Sequence, residues 1–296
     1  MRKWAKIAAG AVIAAVVLGV AALGTGLALA GARMHRTVHV PARAVAYTAD
    51  AAAIERGRYL YASRGCVDCH GANGGGRVFL DDGKGLRIRG SNLTAGPGSA
   101  VRAYRPQDWD RAIRHGVAPD GRPLLIMPSE DYNRWTDADL AALVAFVRSL
   151  PAVAGEPALV ELPLIVRALY GFGLVQDAAA KIDHALPPQA PVPEGVNVAH
   201  GAYVANMCLG CHGPQLAGGR IPGAPPEWPA ASDLRPGSGV MGRYPDGESL
   251  VRLFRSGQRA DGSRVAVMPF ESLREMSDTD VHALHLYLRS LPPAPR

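Results

Sequence analysis

The longest run of apolar residues lies near the N-terminal end of the chain. No charged residue occurs from Ile7 to Ala32, and three basic residues, Arg2, Lys3 and Lys6, precede the run. A helix of this run would be roughly 39 Å long at ~1.5 Å per residue, which exceeds the ~30 Å hydrocarbon core of a bilayer. The pattern predicts a transmembrane anchor over residues 1–33, with its basic tail in the cytoplasm and the rest of the chain exported.

A cleaved signal peptide is the alternative interpretation of this run, because Ala28-Leu29-Ala30 fits a small-x-small cleavage pattern. The run is about twice as long as the usual ~7–15-residue apolar core of a signal peptide, which favours the anchor. Both interpretations export the remaining chain.

Beyond the anchor, apolar residues recur with a helical period rather than in the alternation of paired strands. A helix is predicted from Thr136 to Pro151 and another from Ser277 to Pro292, each with a hydroxyl residue as its cap and a proline as its stop. Further helices are predicted near Asp50–Arg64, Pro106–Arg114, Asn197–Met207 and Gly247–Arg255. No convincing strand pair is found.

These segments recur at a shift of 141 residues. The matches include Arg114 with Arg255, Gly116 with Gly257, Met127-Pro128 with Met268-Pro269, and Arg148–Pro151 with Arg289–Pro292. The repeat predicts two domains of one type, over residues 48–152 and 192–296, with a linker over residues 153–191. The linker holds an apolar stretch, Leu162–Val175, which could pack between the domains, touch the membrane surface or dock a partner.

Composition and charge narrow the classes of function. Of 296 residues, 48% are hydrophobic and 20% are charged, which excludes wholesale disorder. The formal net charge is +6, and removing the three basic residues before the anchor leaves 29 basic against 26 acidic residues, a net +3. No block of five like charges occurs, so the charge gives no reason to expect nucleic-acid binding.

All four cysteines lie in two Cys-x-x-Cys-His motifs. This motif is typical of c-type haem attachment, in which two thiols bind the porphyrin covalently and the histidine is the proximal iron ligand. A thiol-redox motif would need a strand–helix context that precedes neither motif, and a zinc site would leave both histidines unexplained. The predicted haem-binding residues are Cys66, Cys69, His70, Cys208, Cys211 and His212, with His70 and His212 on the two irons.

An N-terminal helix leading into Cys-x-x-Cys-His, a Met-Pro about 57 residues later and a C-terminal amphipathic helix resemble class I cytochrome c. Gly90–Thr94, Met127-Pro128 and Thr136–Pro151 are further similar to the cytochrome c subunits of bacterial membrane-bound alcohol, gluconate and aldehyde-type dehydrogenases. The resemblance implies an all-α fold of two tandem class I cytochrome c domains after a transmembrane helix, with two covalent haem c groups. Those subunits typically carry three haems, whereas this chain has two motifs.

Methionines are the candidates for the sixth iron ligands. Met127 is the only methionine between His70 and the linker, and Met268 matches it in the repeat, whereas Met241 and Met276 are the alternatives in the second domain. A methionine more often fills space in a core, but uniqueness, repeat register and the following proline favour Met127 and Met268.

Two further pairs keep similar positions in the repeat. Arg114 and Arg255 are candidates for binding the haem propionates, with solvated surface arginines as the alternative. Tyr59 and Tyr203 are expected to pack the first helix of each domain against an aromatic residue of its last helix.

The predicted function is electron transfer rather than catalysis. The resemblance implies one-electron transfer from a periplasmic dehydrogenase to an oxidase, a soluble cytochrome or a quinone system of the respiratory chain. The predicted location is the bacterial inner membrane, with a single span and the haem domains in the periplasm. A haem enzyme of the peroxidase or thiosulfate-oxidising type, with one switchable distal ligand, is the alternative, and a haem-based sensor is another.

Overall fold

The computed structural model describes residues 2–221 and 224–294, and its regular structure is mostly helical. Residue 1 of the predicted anchor, and residues 222–223 and 295–296 of the predicted second domain, lie outside the described residues. The helices are α1 (Arg2–Met34), α2 (Ala51–Ser63), α3 (Cys66–His70), α4 (Pro106–His115), α5 (Asp137–Ser149), α6 (Leu164–Gly171), α7 (Val198–Val204), α8 (Leu209–His212), α9 (Gly247–Ser256), α10 (Phe270–Leu273) and α11 (Asp278–Ser290). The strands are β1 (Val78–Asp81), β2 (Arg87–Arg89) and β3 (Leu159–Glu161).

Within the described residues, α1 is the one helix that is long and apolar enough to cross a membrane. Most of its surface is exposed, and only Gly26 and Ala30 are fully buried. Both lie near its C-terminal end, where the helix meets α6. The helix is therefore a candidate membrane anchor, as the sequence predicted.

The helices predicted from apolar spacing are present within three residues of their expected ends. Thr136 and Ser277 cap α5 and α11, because their side-chain oxygens accept hydrogen bonds from the backbone N–H groups of Asp139 and Asp280. The residue types at the helix starts were thus enough to place these helices.

In each half of the chain, the first long helix crosses the last at a glycine. A Cβ atom on Gly57 of α2 would lie 2.0 Å from the carbonyl oxygen of Ala142 in α5. A Cβ atom on Gly201 of α7 would lie 1.9 Å from the carbonyl oxygen of Ala283 in α11. Only glycine permits this close approach of two helix backbones.

Two hydrophobic clusters form around these crossings. Cluster one is built around buried residues of α2, α4 and α5, including Leu60, Trp109 and Leu143. Cluster two is built around buried residues of α7, α9 and α11, including Val204, Phe254 and Leu284. The helices that supply the two clusters are those that match at the 141-residue shift.

The expectation of no strand pair was wrong. The strands β1, β2 and β3 form a three-stranded antiparallel sheet in that order. The strands have only three or four residues, and Arg87 and Arg89 are two of the three residues of β2, so no alternating apolar pattern reveals them. In addition, β3 lies in the linker, about 70 residues after its partner, so the pairing is not local.

Candidate haem-binding sites

The first Cys-x-x-Cys-His motif forms a single helical turn, α3, immediately after α2. Gly65 joins the two helices with a φ of 89°, in the left-handed region that suits glycine. The Tyr61 hydroxyl in cluster one donates a hydrogen bond to the carbonyl oxygen of Gly71 at 2.6 Å. The motif is thereby tied to the hydrophobic cluster just beyond its histidine.

The second motif ends in the same backbone turn as the first. Gly71 has φ and ψ of 72° and 160°, and Gly213 has 77° and 165°. The approach differs, because a 3₁₀ turn at Ala205–Cys208 leads into α8 in place of the glycine joint.

In both motif histidines, a ring nitrogen is hydrogen-bonded to a backbone carbonyl oxygen. The Nδ1 atom of His70 lies 2.8 Å from the carbonyl oxygen of Ser91, and the Nδ1 atom of His212 lies 2.7 Å from that of Ser232. A carbonyl oxygen can only accept, so Nδ1 carries the proton and Nε2 is left with a free lone pair. Burial lowers the pKa of both histidines, which favours this neutral form. The arrangement fits an iron ligand whose ring is held by an outer hydrogen bond.

The four thiols are unbridged, and burial suppresses their ionisation. It raises the pKa of Cys66, Cys69 and Cys208 to about 12, and it raises that of Cys211 as well. Reactive thiols in Cys-x-x-Cys redox motifs have lowered pKa values, so these environments do not resemble a thiol-redox site. They fit an apolar surface against which a porphyrin packs.

The methionines separate into two groups by burial. Met241 and Met276 are 2% and 1% exposed inside cluster two, where they fill space. Met127 and Met268 are half-buried at the edges of clusters one and two. Each of these is followed by a proline of almost identical conformation, with φ and ψ of −80° and 62° at Pro128 and −79° and 65° at Pro269. The two Met-Pro turns therefore present equivalent side chains.

Arg114 and Arg255 make equivalent contacts near the starts of the last helices. Arg114 lies 3.0 Å from the carboxylate of Asp137, the counterpart of Asp278, and it also donates to the Asp110 carboxylate at 2.8 Å and to the carbonyl oxygen of Trp135 at 2.6 Å. Arg255 donates to the carbonyl oxygen of Arg274 at 2.7 Å and to the Asp278 carboxylate at 2.6 Å. These contacts give both arginines a structural role, and the propionate role stays a prediction.

In each motif, the residue just before the second cysteine contacts the other half of the chain. The Ser272 hydroxyl donates to the Asp68 carboxylate at 2.5 Å, and the backbone N–H of Gly210 donates to the Asp131 carboxylate at 2.7 Å. Asp131 and Ser272 are related by the 141-residue shift, and Asp68 and Gly210 by 142. The contacts are therefore reciprocal, and both motifs border one interface. These residues could not be predicted from the sequence, since nothing local marks them.

Tyr59 and Tyr203 form a second reciprocal pair, with contacts beyond the packing expected of them. The Tyr59 hydroxyl donates to the Asp280 carboxylate and accepts from the backbone N–H of Ser277 at 3.0 Å. The Tyr203 hydroxyl donates to the Asp139 carboxylate at 2.7 Å and accepts from the backbone N–H of Thr136 at 3.2 Å. Each tyrosine thus reaches the start of the last helix in the opposite half rather than only its own.

A buried ionic cluster stands on one side of this interface. Asp280 is 1% exposed and contacts the guanidinium of Arg64 and, at 2.6 Å, the Nε2 atom of His200. Burial alone would raise the pKa of Asp280, but the charge of Arg64 and the hydrogen bonds from Tyr59, Arg64 and His200 outweigh it and hold the pKa at about 2. The carboxylate is therefore charged at neutral pH and locks α11 onto the first half of the chain.

Residues 52–147 match the family model described as "Cytochrome C oxidase, cbb3-type, subunit III". Over most of its length the chain is also similar to proteins named as cytochrome subunits of dehydrogenases, and this agrees with the motifs and with the histidine geometry. Residues 52–147 thus match a cytochrome c domain, and the chain as a whole resembles cytochrome c subunits of dehydrogenases.

Three relatives show how far the similarity extends. The chain is 28% identical to the fructose dehydrogenase cytochrome subunit of Gluconobacter japonicus over 93% of its length. It is 30% identical to the cytochrome c subunit of the quinone-type alcohol dehydrogenase of Gluconacetobacter polyoxogenes over 83% of the chain, and 27% identical to the gluconate 2-dehydrogenase cytochrome c subunit of Pantoea cypripedii over 82%. The chain spans only 58% to 60% of the length of these relatives.

Proposed function

We propose that this chain is a membrane-anchored dihaem cytochrome that relays single electrons from a periplasmic dehydrogenase toward the respiratory chain. The observation that carries the proposal is the duplication of one site geometry. In each half a motif histidine donates through Nδ1 to a backbone carbonyl group, and a half-buried methionine stands before a proline of matching conformation. Two copies of one site provide for two haems, in domains over residues 48–152 and 192–296.

The residues of each site have distinct roles in this proposal. Cys66 and Cys69, or Cys208 and Cys211, hold the porphyrin through thioether bonds. The Nε2 atom of the motif histidine and the sulfur atom of Met127 or Met268 would hold the iron. When bound, the haem supplies reversible one-electron chemistry, and a thioether ligand favours its reduced form. Ser91 and Ser232 orient the histidine rings through their carbonyl oxygens.

The reciprocal contacts give the relay a route. Asp68 and Gly210 each lie within a haem-attachment turn, and each is hydrogen-bonded to the opposite half of the chain. Both haem sites would therefore border the same interface, and an electron would cross it from one haem to the other. This function needs no side chain for acid–base or nucleophilic work.

The location and the partners follow from α1 and from the relatives. In the proposed arrangement α1 spans the inner membrane and the haem domains lie in the periplasm. Several relatives are named as subunits of alcohol, fructose and gluconate dehydrogenases, which supports a dehydrogenase as the electron donor. An oxidase, a soluble cytochrome or a quinone system would be the acceptor.

The proposal is tested by extracting the membrane-bound protein in mild detergent and identifying co-purifying proteins by mass spectrometry. We expect a stoichiometric dehydrogenase, and we expect its substrate to reduce both haems, as measured by visible absorbance. A Met268→Ala variant of the same preparation controls for the second haem. A cytochrome that purifies with no dehydrogenase and that no substrate reduces would contradict the donor proposal.

A further inference from the structure

The linker helix α6 packs closely against the C-terminal part of α1. A Cβ atom on Gly171 would lie 2.0 Å from the carbonyl oxygen of Gly26, and one on Gly26 would lie 2.8 Å from both Ala168 and Phe172. Glycine at both positions brings the two helices into backbone contact. The apolar linker stretch is therefore attached to the candidate anchor.

An ion pair just beyond the end of α1 holds the same two segments together. Arg36, just after α1, donates to both carboxylate oxygens of Asp177, at 2.6 and 2.8 Å, and Asp177 is fully buried. The Tyr170 hydroxyl also donates to Asp177 at 2.8 Å. The bidentate pair and the glycine contacts together hold the C-terminal end of α1 against α6 and the residues that follow it.

The length of α1 sets the depth of α6. From Lys6, the last charged residue before the apolar run, to Gly26 the helix rises roughly 30 Å at ~1.5 Å per residue, which equals the ~30 Å hydrocarbon core of a bilayer. Gly26 therefore lies where the hydrocarbon meets the headgroups on the far side of the membrane. Because α6 touches α1 at Gly26 and Ala30, α6 lies at this boundary too.

The side chains around α6 suit this boundary. Leu164, Ile165 and Leu174 are 56%, 63% and 67% exposed, and Phe172 is about half exposed. The half-buried arginines Arg33 and Arg167 lie on the two packed helices, and within the described residues neither pairs with a carboxylate, although the Arg33 guanidinium stacks over the Tyr170 ring at 5.4 Å. Exposed apolar side chains beside arginines that have no carboxylate partner suit a helix in a lipid interface, where the arginines meet phosphate groups.

We propose that α6 and the residues that follow it to Leu174, the α6 segment, form a second membrane contact that lies in the outer surface of the phospholipid bilayer. The proposal rests on the proposed transmembrane position of α1 and goes beyond it. The α6 segment packs on α1, and β3 just before it pairs with β2, so a seated α6 holds the first haem site at a fixed height and tilt above the membrane. This role decides among packing, membrane contact and partner docking for the apolar linker.

The test places single cysteines on the full-length holoprotein in nanodiscs of phosphatidylethanolamine and phosphatidylglycerol. Each cysteine is labelled with an environment-sensitive fluorophore. Its fluorescence is compared between plain lipids and lipids that carry a nitroxide high on the acyl chain. Ile165→Cys reports on α6, and Val16→Cys reports on the middle of α1. Leu286→Cys, an exposed apolar position on α11, is the matched control.

We expect about a twofold loss of fluorescence at position 165 in the nitroxide lipids, as for a side chain seated in the headgroup–acyl boundary, and no loss at position 286. Quenching at position 165 only by aqueous iodide would overturn the proposal, because α6 would then face water. Protection from both quenchers would overturn it in favour of a protein partner. If position 16 is not quenched by deeper nitroxides, the transmembrane proposal itself fails, which separates the two failures.

Discussion

At the scale of single residues, the histidine and methionine side chains determine what the two sites can hold. The hydrogen bonds to the Ser91 and Ser232 carbonyl oxygens leave Nε2 of both histidines free to ligate iron. Burial separates Met127 and Met268 from the core methionines Met241 and Met276, and in the sequence uniqueness, repeat register and the following proline had favoured the same two residues. The role of Met127 and Met268 as iron ligands stays a prediction.

The methionine assignment leads to the first prediction. Met268→Ala should abolish the weak far-red ferric absorption band that methionine–iron bonding gives at the second haem, and it should let that haem bind carbon monoxide when reduced. The matched variant Met241→Leu removes a core methionine and should leave the band unchanged, at a cost in stability below about 1.5 kcal/mol. Loss of the band in Met241→Leu with its retention in Met268→Ala would reverse the assignment.

The buried carboxylate Asp280 leads to a prediction on stability and pH. Its folded-state pKa of about 2 lies below the ordinary value of 3.8, so its contribution is present above about pH 4 and is lost as the pH falls toward 2. Asp280→Asn should lower the free energy of unfolding at pH 7 by about 3 kcal/mol, because Arg64 is left buried without a countercharge. It should also flatten the pH dependence between pH 4 and 2.

Asp139→Asn is the control for this prediction, since Asp139 occupies the equivalent position and its partner Arg56 is partly exposed. Asp139→Asn should lower the free energy of unfolding clearly less than Asp280→Asn does. Denaturant unfolding at several pH values measures the free energy of unfolding of both variants. Equal losses would show that the buried Asp280–Arg64 pair stabilises the protein no more than the partly exposed Asp139–Arg56 pair.

At the scale of elements, the crossings of first and last helices organise both halves. Gly57 and Gly201 allow α2 to touch α5 and α7 to touch α11, and the motif turns follow the first helix of each pair. Sequence patterns placed these helices, because caps, prolines and apolar spacing are local signals. The sheet was missed, because β2 is arginine-rich and its partner β3 lies in the linker.

The helix crossings predict that one methyl group added to either crossing glycine lowers the stability of the protein. Gly57→Ala and Gly201→Ala should each lower stability by about 1–3 kcal/mol, because the new Cβ collides with a carbonyl oxygen at roughly 2 Å. Gly242→Ala is the matched control, since its Cβ would meet nothing within 4 Å. Thermal unfolding of the three variants measures this difference, and equal midpoints would refute the close approach.

At the scale of the whole molecule, reciprocal contacts join the two halves. Tyr59 reaches Asp280 while Tyr203 reaches Asp139, and Asp68 and Gly210 make the corresponding exchange beside the motifs. The repeat could be predicted from sequence, as could the haem motifs. The interface could not, because Tyr59 and Asp280 are 221 residues apart and no local pattern links them.

The reciprocal contacts predict that the two halves unfold together. Removing both tyrosine hydroxyls in a Tyr59→Phe, Tyr203→Phe double variant should cost about 1–3 kcal/mol per site and should split calorimetric unfolding into two transitions. Tyr47→Phe, at an exposed tyrosine before α2, should change neither the free energy of unfolding nor the number of transitions. If the double variant unfolds in the same single transition as the wild type, the tyrosine hydroxyls do not couple the two halves.

Intact-protein mass spectrometry decides whether the chain carries two haem sites of one design. The mature protein should carry two covalent haem groups. A Cys66→Ala, Cys69→Ala variant and a Cys208→Ala, Cys211→Ala variant should each carry one. A wild-type mass with one haem or none, or a pair of cysteines whose removal leaves the haem count unchanged, would contradict the account.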